Sequence, residues 1–519
     1  MRIGIDVGGT NTDVALVTGG SVLAAVKTST QDDVTDGIMA ALNELQQQHP
    51  FDPAAVKAVM IGTTHFINAL VEHRRLAPTA AIRLGLPATA ALPPLVDWPA
   101  PLAAALGGHG YLCHGGHEFD GRAISELDED ELKRTVEDIA ARGARSIAIT
   151  SVFSPVTAEF EQRAAEVVGA MLPDAAISLS HEIGRMGLLE RENATIVNAS
   201  LRELAVDIVD GLAAAIEGHG IAAPLYLSQN DGTLMDVDFA RRYPVATFAS
   251  GPTNSMRGAA YLSGLADCAV VDVGGTTSDI GIVQAGFPRE ATNDVSVAGV
   301  RTNFRMPDVL SLGIGGGSRV RPDGGTDGGP VVGPDSVGFR LGSEALVFGG
   351  PTMTATDVAV AAGRAEIGDP SRVAGMDRDL VGGVLAQIAA AVTDGVERMR
   401  VSAEPLPIVA VGGGSVLLPD RLDDGAALVR PDNFPVANAV GAAIAQVGGE
   451  VDRVFSIEPG RRSAVLDDAK QEAVDRAVRA GALPDTVRVV DVDEVPLAYL
   501  PGNATRIRVK AVGELFTAP

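Results

Sequence analysis

Apolar residues fall in short blocks closed by glycine along much of this chain, and one such block occurs twice. Ile3 to Val17 reads IGIDVGGTNTDVALV, and Val270 to Val283 reads VVDVGGTTSDIGIV. Each is an apolar run ending in Asp, then Gly-Gly-Thr, then polar residues, then a second apolar run. The pattern predicts strand, tight turn, strand: a β-hairpin. A third run, Ile408 to Val411, ends in Gly412-Gly413-Gly414-Ser415. Leu127 to Thr150 has helical spacing followed by a strand, and Ser154 to Leu172 and Glu192 to Leu212 predict further helices. Ala437 to Gly449 is a run of small residues that predicts a closely crossing helix. In the tail, Asp467 to Ala482 has Ala and Val at helical spacing, while Thr486 to Leu500 and Thr505 to Leu515 alternate as strands.

The chain has 519 residues, enough for two or three domains, and 46% of them are hydrophobic. Its formal charge of −25 argues against a nucleic-acid or anionic-membrane surface, because both need clustered Lys and Arg. Two cysteines, Cys113 and Cys268, indicate no disulfide framework and fit a cytoplasmic location. No leader-like segment precedes the first strand, and no apolar run reaches the roughly 18 residues of a membrane span.

The repeated turn has a chemical use. Glycines at Gly8, Gly9, Gly274 and Gly275 let backbone N–H groups approach an anion closely, forming a nest for phosphate oxygens. Thr10, Asn11, Thr12, Thr276, Thr277 and Ser278 add hydroxyl and amide partners. Asp6 and Asp272 close the strands, where a carboxylate could hold hydrated Mg²⁺ or orient a water. Asp13 and Asp279 could instead anchor the hairpins. One copy alone also fits an ordinary hairpin. Two copies predict two domains, related by a pseudo-twofold axis, that present one turn each to the same phosphates. Gly412, Gly413 and Gly414 would let backbone lie against an adenosine.

Two phosphate hairpins, a glycine turn for adenosine and two connecting helices (192–212 and 437–449), in this order, resemble the actin, sugar-kinase and heat-shock chaperone superfamily of ATPases. The resemblance implies an α/β fold of two RNase-H-like lobes around an ATP cleft. GTTHFINAL (Gly62–Leu70), LLERENATIVNASL (Leu188–Leu201), FASGPTNSMRGAAYL (Phe248–Leu262) and SLGIGGGSRVRPDGG (Ser311–Gly325) narrow it to the hydantoinase and oxoprolinase family. That family implies ATP-dependent opening of a cyclic amide such as 5-oxoproline, a hydantoin or a lactam, with Mg²⁺ accompanying ATP. It also implies a second, unrelated subunit in many members. The chain departs from the family text at Ile61 and Leu310, where histidines are usual, and at FRLGSEALVFGG. A small-metabolite kinase and a nucleotide-switched subunit that works only with a partner are therefore the alternative readings.

Family text also nominates a substrate group. Thr63, Thr64, His65 and Asn68 could line a pocket in which His65 orients a carbonyl or a water. Glu190 and Arg191 are candidates for substrate or interlobe contact, against a plain ion pair. Ser250-Gly251-Pro252 opens a helix, as a phosphate partner or a simple cap. Gly315 to Ser318 reads as a loop on the cleft or on the surface. His109, Cys113, His114 and His117 are atoms zinc accepts, although GGHEFDGR reads equally as a hairpin. The expected organisation is a first lobe at 1–190 with an insertion around 75–125, a second lobe at 191–455, and a small α+β module at 456–519 for substrate cover or homo-oligomer formation.

Overall fold

The computed structural model describes residues 1–29, 34–291, 295–325, 329–402, 404–422, 425–498 and 503–516. Both repeated phrases are hairpins. β1 (Arg2–Val7) pairs antiparallel with β2 (Asn11–Thr18), and Asp6 lies opposite Asp13. Downstream, β11 (Cys268–Val273) pairs with β12 (Ser278–Gln284), and Asp272 lies opposite Asp279. The flanking strands repeat as well. β3 (Ser21–Ser29) adds antiparallel to β2, while β4 (Ala58–Thr63) and then β9 (Leu225–Ser228) add in parallel beyond β1. In the second sheet β13 (Phe287–Pro288) adds to β12, and β19 (Ile408–Val411) and β20 (Leu428–Val429) add in parallel beyond β11. The two five-stranded orders match in sequence and sense, which is the pair of RNase-H-like lobes. The central strands β1, β4, β11 and β19 are buried along almost their whole length, which makes their sequences near-continuous apolar runs.

The lobe boundaries differ from the linear division. β10 (Thr233–Asp236), β21 (Gln446–Ser456), β23 (Ala504–Gly513) and β22 (Arg488–Pro496) continue the first sheet to nine strands, in the order β22-β23-β21-β10-β9-β4-β1-β2-β3. Sheet boundaries therefore do not fall at 190 or 455. The tail is not a separate module, because its strands complete an edge that β10 leaves open. The stretch 75–125 supplies β5 (Thr79–Leu86) and β6 (His109–His114). With β7 (Ser146–Ser151) and β8 (Ala176–Leu179) these form a parallel sheet ordered β6-β5-β7-β8. β5 is central in that sheet and buried almost throughout, so its sequence carries no alternation.

Three shorter pieces serve the second lobe and its borders: the hairpins β14 (Val295–Val297) with β15 (Val300–Thr302) and β17 (Ser318–Arg321) with β18 (Val331–Ser336), and β16 (Val309–Leu312), which pairs with β12. The helix Arg378–Met399 is long and apolar enough to cross a membrane by composition. It instead buries Val384, Ile388 and Val392 in the core of the second sheet.

Two helices cross between the lobes, Ser250–Ser263 and Ala437–Ala443. A Cβ at Gly258 would lie 1.8 Å from the Ala437 carbonyl oxygen, and one at Gly441 1.9 Å from that of Asn254. Only glycine permits this backbone contact. The run expected as one helix over 437–449 ends at Ala443 and enters β21 at Gln446. The long helix Leu188–Gly218 was expected to be the other connector. It packs against the first lobe and β7 instead, since its wide apolar surface needs a sheet face.

Candidate functional site

The two hairpin turns are built alike and meet. Gly8 N–H donates to the Asn11 carbonyl at 3.0 Å, and Gly274 N–H to that of Thr277 at 2.9 Å. A Cβ on Gly275 would stand 3.1 Å from Thr10 Cγ2 of the opposite turn. Between them lies a cleft of about 490 Å³, lined by Gly8, Gly9, Thr10, Asn11 and by Gly274 to Thr277. Gly412, Gly413 and Gly414 line it too. Gly412 has φ +80, and a Cβ there would fall 2.2 Å from Asp272 Oδ1, so this turn admits no side chain. Leu341, Ala359, Ile367, Val416, Leu417 and Pro435 form the apolar part of the wall, a surface suited to a nucleoside base. The Gly315–Ser318 cluster packs under the second turn: Gly316 and Gly317 N–H donate to the carbonyls of Gly274 and Gly275.

The carboxylates are layered. Asp272 and Asp13 line the cleft. Asp6 is not among the residues that line it, which corrects its expected place at the phosphates. Its Oδ1 accepts from Asn254 Nδ2 at 3.4 Å and its Oδ2 from Asn438 Nδ2 at 2.9 Å. The same Asn438 amide reaches Asp13 at 2.8 Å, and Lys27 Nζ lies 2.6 Å from Asp13. Burial, with the negative charge of Asp13 second, pushes the Asp6 carboxyl up to about 6. Burial also raises Asp272, against a hydrogen bond from Ser255. Asp279 is raised to about 6 by burial, against a hydrogen bond from Ser311. Thr12 is fully buried in β2 and does not line the cleft.

Lys27, Asn254, Ser255 and Asn438 escaped the sequence reading. Lys27 comes from the strand beside the first hairpin, and the other three from the crossing helices. Polar residues set in small-residue helices were the available signal for the latter.

The donor set fits Mg²⁺ with ATP. Among the described residues no three His, Cys, Asp or Glu converge on one point. Mg²⁺ needs only one or two carboxylates when phosphate oxygens and water complete its shell. Asp272 faces the phosphate turns and could serve. The zinc reading of 109–117 fails on the same observation: Cys113 Sγ contacts Thr135 Oγ1, His114 Nδ1 meets Glu131, and His117 stacks on Phe160.

The substrate candidates split into two groups. Thr63 N–H donates to Ser250 Oγ at 3.2 Å, and Thr64 Oγ1 donates to the Val7 carbonyl at 3.4 Å. Asn68 Nδ2 in turn reaches Thr64 Oγ1. This group lies behind the first turn and outside the cleft lining. Burial, and then Arg75, lowers His65 to about 4, so its ring is neutral. Thr63 Oγ1 accepts from His65 N–H and lies 2.6 Å from His65 Nδ1, which fixes the ring against the end of β4. Ser250-Gly251-Pro252 braces this group and does not line the cleft. Glu190 faces Arg301 at 3.8 Å. Arg191 is fully buried, donating to Ser180 Oγ at 2.9 Å and to the carbonyls of Ser151, Arg185, Met186 and Gly187. It braces a loop and offers nothing to a substrate.

Comparison with known proteins agrees with this geometry. Residues 2–172 match the model of the hydantoinase/oxoprolinase N-terminal region, and residues 191–399 match the hydantoinase/oxoprolinase model, so the two span most of the chain. The chain belongs to the hydantoinase/oxoprolinase family. Among its relatives is caprolactamase subunit alpha of Pseudomonas jessenii, 29% identical over 70% of this chain and 54% of the relative. Another is acetophenone carboxylase gamma subunit of Aromatoleum aromaticum, 26% identical over 47% of this chain and 34% of the relative. A third, 5-oxoprolinase of Saccharomyces cerevisiae, is 26% identical over 47% of this chain and 19% of the relative. The matched stretch thus spans about half or less of each of these family members. The solved ATP-dependent caprolactamase of Pseudomonas jessenii superposes with a TM-score of 0.77 at 19% identity, over 100% of this chain and 88% of that one. A nucleotide-free acetone carboxylase gives 0.71 at 18% identity, over 99% and 88%. At those identities the likeness establishes the shared fold.

Proposed function

We propose that the chain is the nucleotide-handling component of an ATP-dependent enzyme that opens a cyclic amide of the 5-oxoproline, hydantoin or lactam type, together with a second subunit. The observation that carries this reading is the pair of like-built glycine turns facing one cleft whose walls also supply Asp272 and Lys27. Family membership and the subunit names of two relatives support it.

Amide carbonyls are poor electrophiles, and phosphorylation of the oxygen corrects that. The amide oxygen attacks the γ-phosphorus and ADP leaves. Water adds to the carbon that bears the phosphorylated oxygen, the ring C–N bond breaks to free the amine and leave an acyl phosphate, and a second water releases carboxylate and phosphate. The chain's contribution is positioning and charge, the main needs of phosphoryl transfer. Backbone N–H groups of both turns hold phosphate oxygens, Lys27 offers positive charge, and Mg²⁺ held at Asp272 would neutralise developing negative charge.

The test is phosphate release from ATP and Mg²⁺ against lactams, hydantoins and 5-oxoproline, with and without a co-expressed second subunit. One compound should stimulate release, and Asp272→Asn should lower it by roughly 10²-fold or more. A stable phosphorylated product would establish a kinase instead. If no compound alters turnover with the second subunit present, the cyclic-amide reading is lost.

A further inference from the structure

Arg257 is 5% exposed and, among the described residues, has no carboxylate within 4.0 Å. It lies on the crossing helix Ser250–Ser263, two residues beyond Ser255, the partner of Asp272. Its guanidinium stacks 3.9 Å over the Phe287 ring, and Nη2 reaches Gln446 Oε1 at 3.5 Å. Nε is buried without a partner. Among the described residues Nη1 makes no hydrogen bond, and it is not one of the buried unpartnered atoms, so it is the accessible end. The acidic groups that face Arg257 are already engaged. Asp231 holds Lys510 at 2.8 Å and accepts from Thr233, and Glu514 accepts from Gln446 at 2.9 Å and lies 3.6 Å from Arg2. A buried charge in this condition is costly, and one aromatic face offsets it only in part.

Arg257, with Phe287 and Gln446, lines an open surface pocket of about 290 Å³. A second arginine, Arg488 at the start of β22, borders it as well and makes no salt bridge among the described residues. No Asp or Glu is among the lining residues. Two unpaired guanidinium groups around a small acid-free pocket form a receptor for oxygen anions, which arginine binds through paired N–H donors. We propose that this pocket binds a small oxyanion, a phosphate or a carboxylate, between Arg257 and Arg488.

The test is calorimetric titration of the full chain with inorganic phosphate and with acetate, in the absence of nucleotide and again with excess ADP. Phosphate or acetate should bind in both conditions, the better of the two naming the ligand's anionic group. Arg488→Ala and Arg257→Met should each weaken binding roughly 10- to 100-fold, the loss of one charge-assisted hydrogen-bonding partner. Arg488 is exposed, so its variant carries the result if Arg257→Met does not fold. Absence of binding by both anions overturns the proposal. So does binding that both arginine variants leave unchanged, including binding that ADP displaces from the nucleotide cleft. A chain that binds no ADP can still pass this test, so the site and the proposed function fail separately.

Discussion

Asp6 is a buried carboxylate set among two others, and its surroundings hold its proton to about pH 6. Its folded-state pKa lies above the unfolded value of 3.8, so the unfolded chain sheds this proton first as pH rises. Asp6 therefore subtracts stability between about pH 4 and pH 6 and no further above that. The integrated effect is about 3 kcal/mol. Urea unfolding of wild type and Asp6→Asn should show their difference moving against wild type by about that amount across this window. A difference that stays flat with pH would refute the assignment. Lys27 makes a second case. Lys27→Met leaves Asp13 buried without its cation and should cost about 1–3 kcal/mol, less than a fully buried pair because the Lys27 side chain is 31% exposed. It should also weaken ATP binding, measured by calorimetry. Asp272 and the turn glycines were legible in the sequence because a turn is written in consecutive residues. Lys27 and Asn438 were not, because each reaches the site through sheet pairing or a helix crossing.

At the scale of elements, the hairpins and the glycine turn at Gly412 follow from local chemistry alone. The crossing does not. Small residues marked 437–449 as a crossing helix, yet its partner proved to be Ser250–Ser263 and not the long helix 188–218. The deciding pair is Gly258 and Gly441, distant in sequence and back to back in space. Gly441→Ala should destabilise by about 1–3 kcal/mol or more, because its Cβ would meet backbone that cannot yield. Since Asn254 and Asn438 ride on these helices, the variant should also lose nucleotide affinity. Denaturant unfolding and ATP titration on the same sample check both effects, and an undisturbed variant would show that the helices have room to separate.

At the scale of the molecule, the nine-stranded sheet joins the first residues to the last. β21 is paired along its length by β23, and Val451, Ile507 and Val509 bury against Ala469 and Ala473 of the helix Arg462–Arg479. Residues 457–519 expressed alone should therefore lack a folded core, and truncation after Ser456 should leave β21 an exposed edge prone to association. A dispersed amide spectrum from the isolated tail would contradict this. Bound nucleotide should raise the melting temperature of the whole chain in one transition, by about 2.7 kcal/mol of stability at a hundredfold excess over Kd, because it touches both lobes.

The sequence by itself determined the two hairpins, their glycine turns, the parallel between the lobes and the family. All of these rest on contiguous residues whose backbone demands are local. Only the tertiary structure decided that Asp13 rather than Asp6 meets the cleft, that Arg191 is a brace, and that the tail belongs to the first sheet. Each of those is set by which distant segment fills a remaining edge or covers a remaining charge, and no local pattern encodes the choice of neighbour.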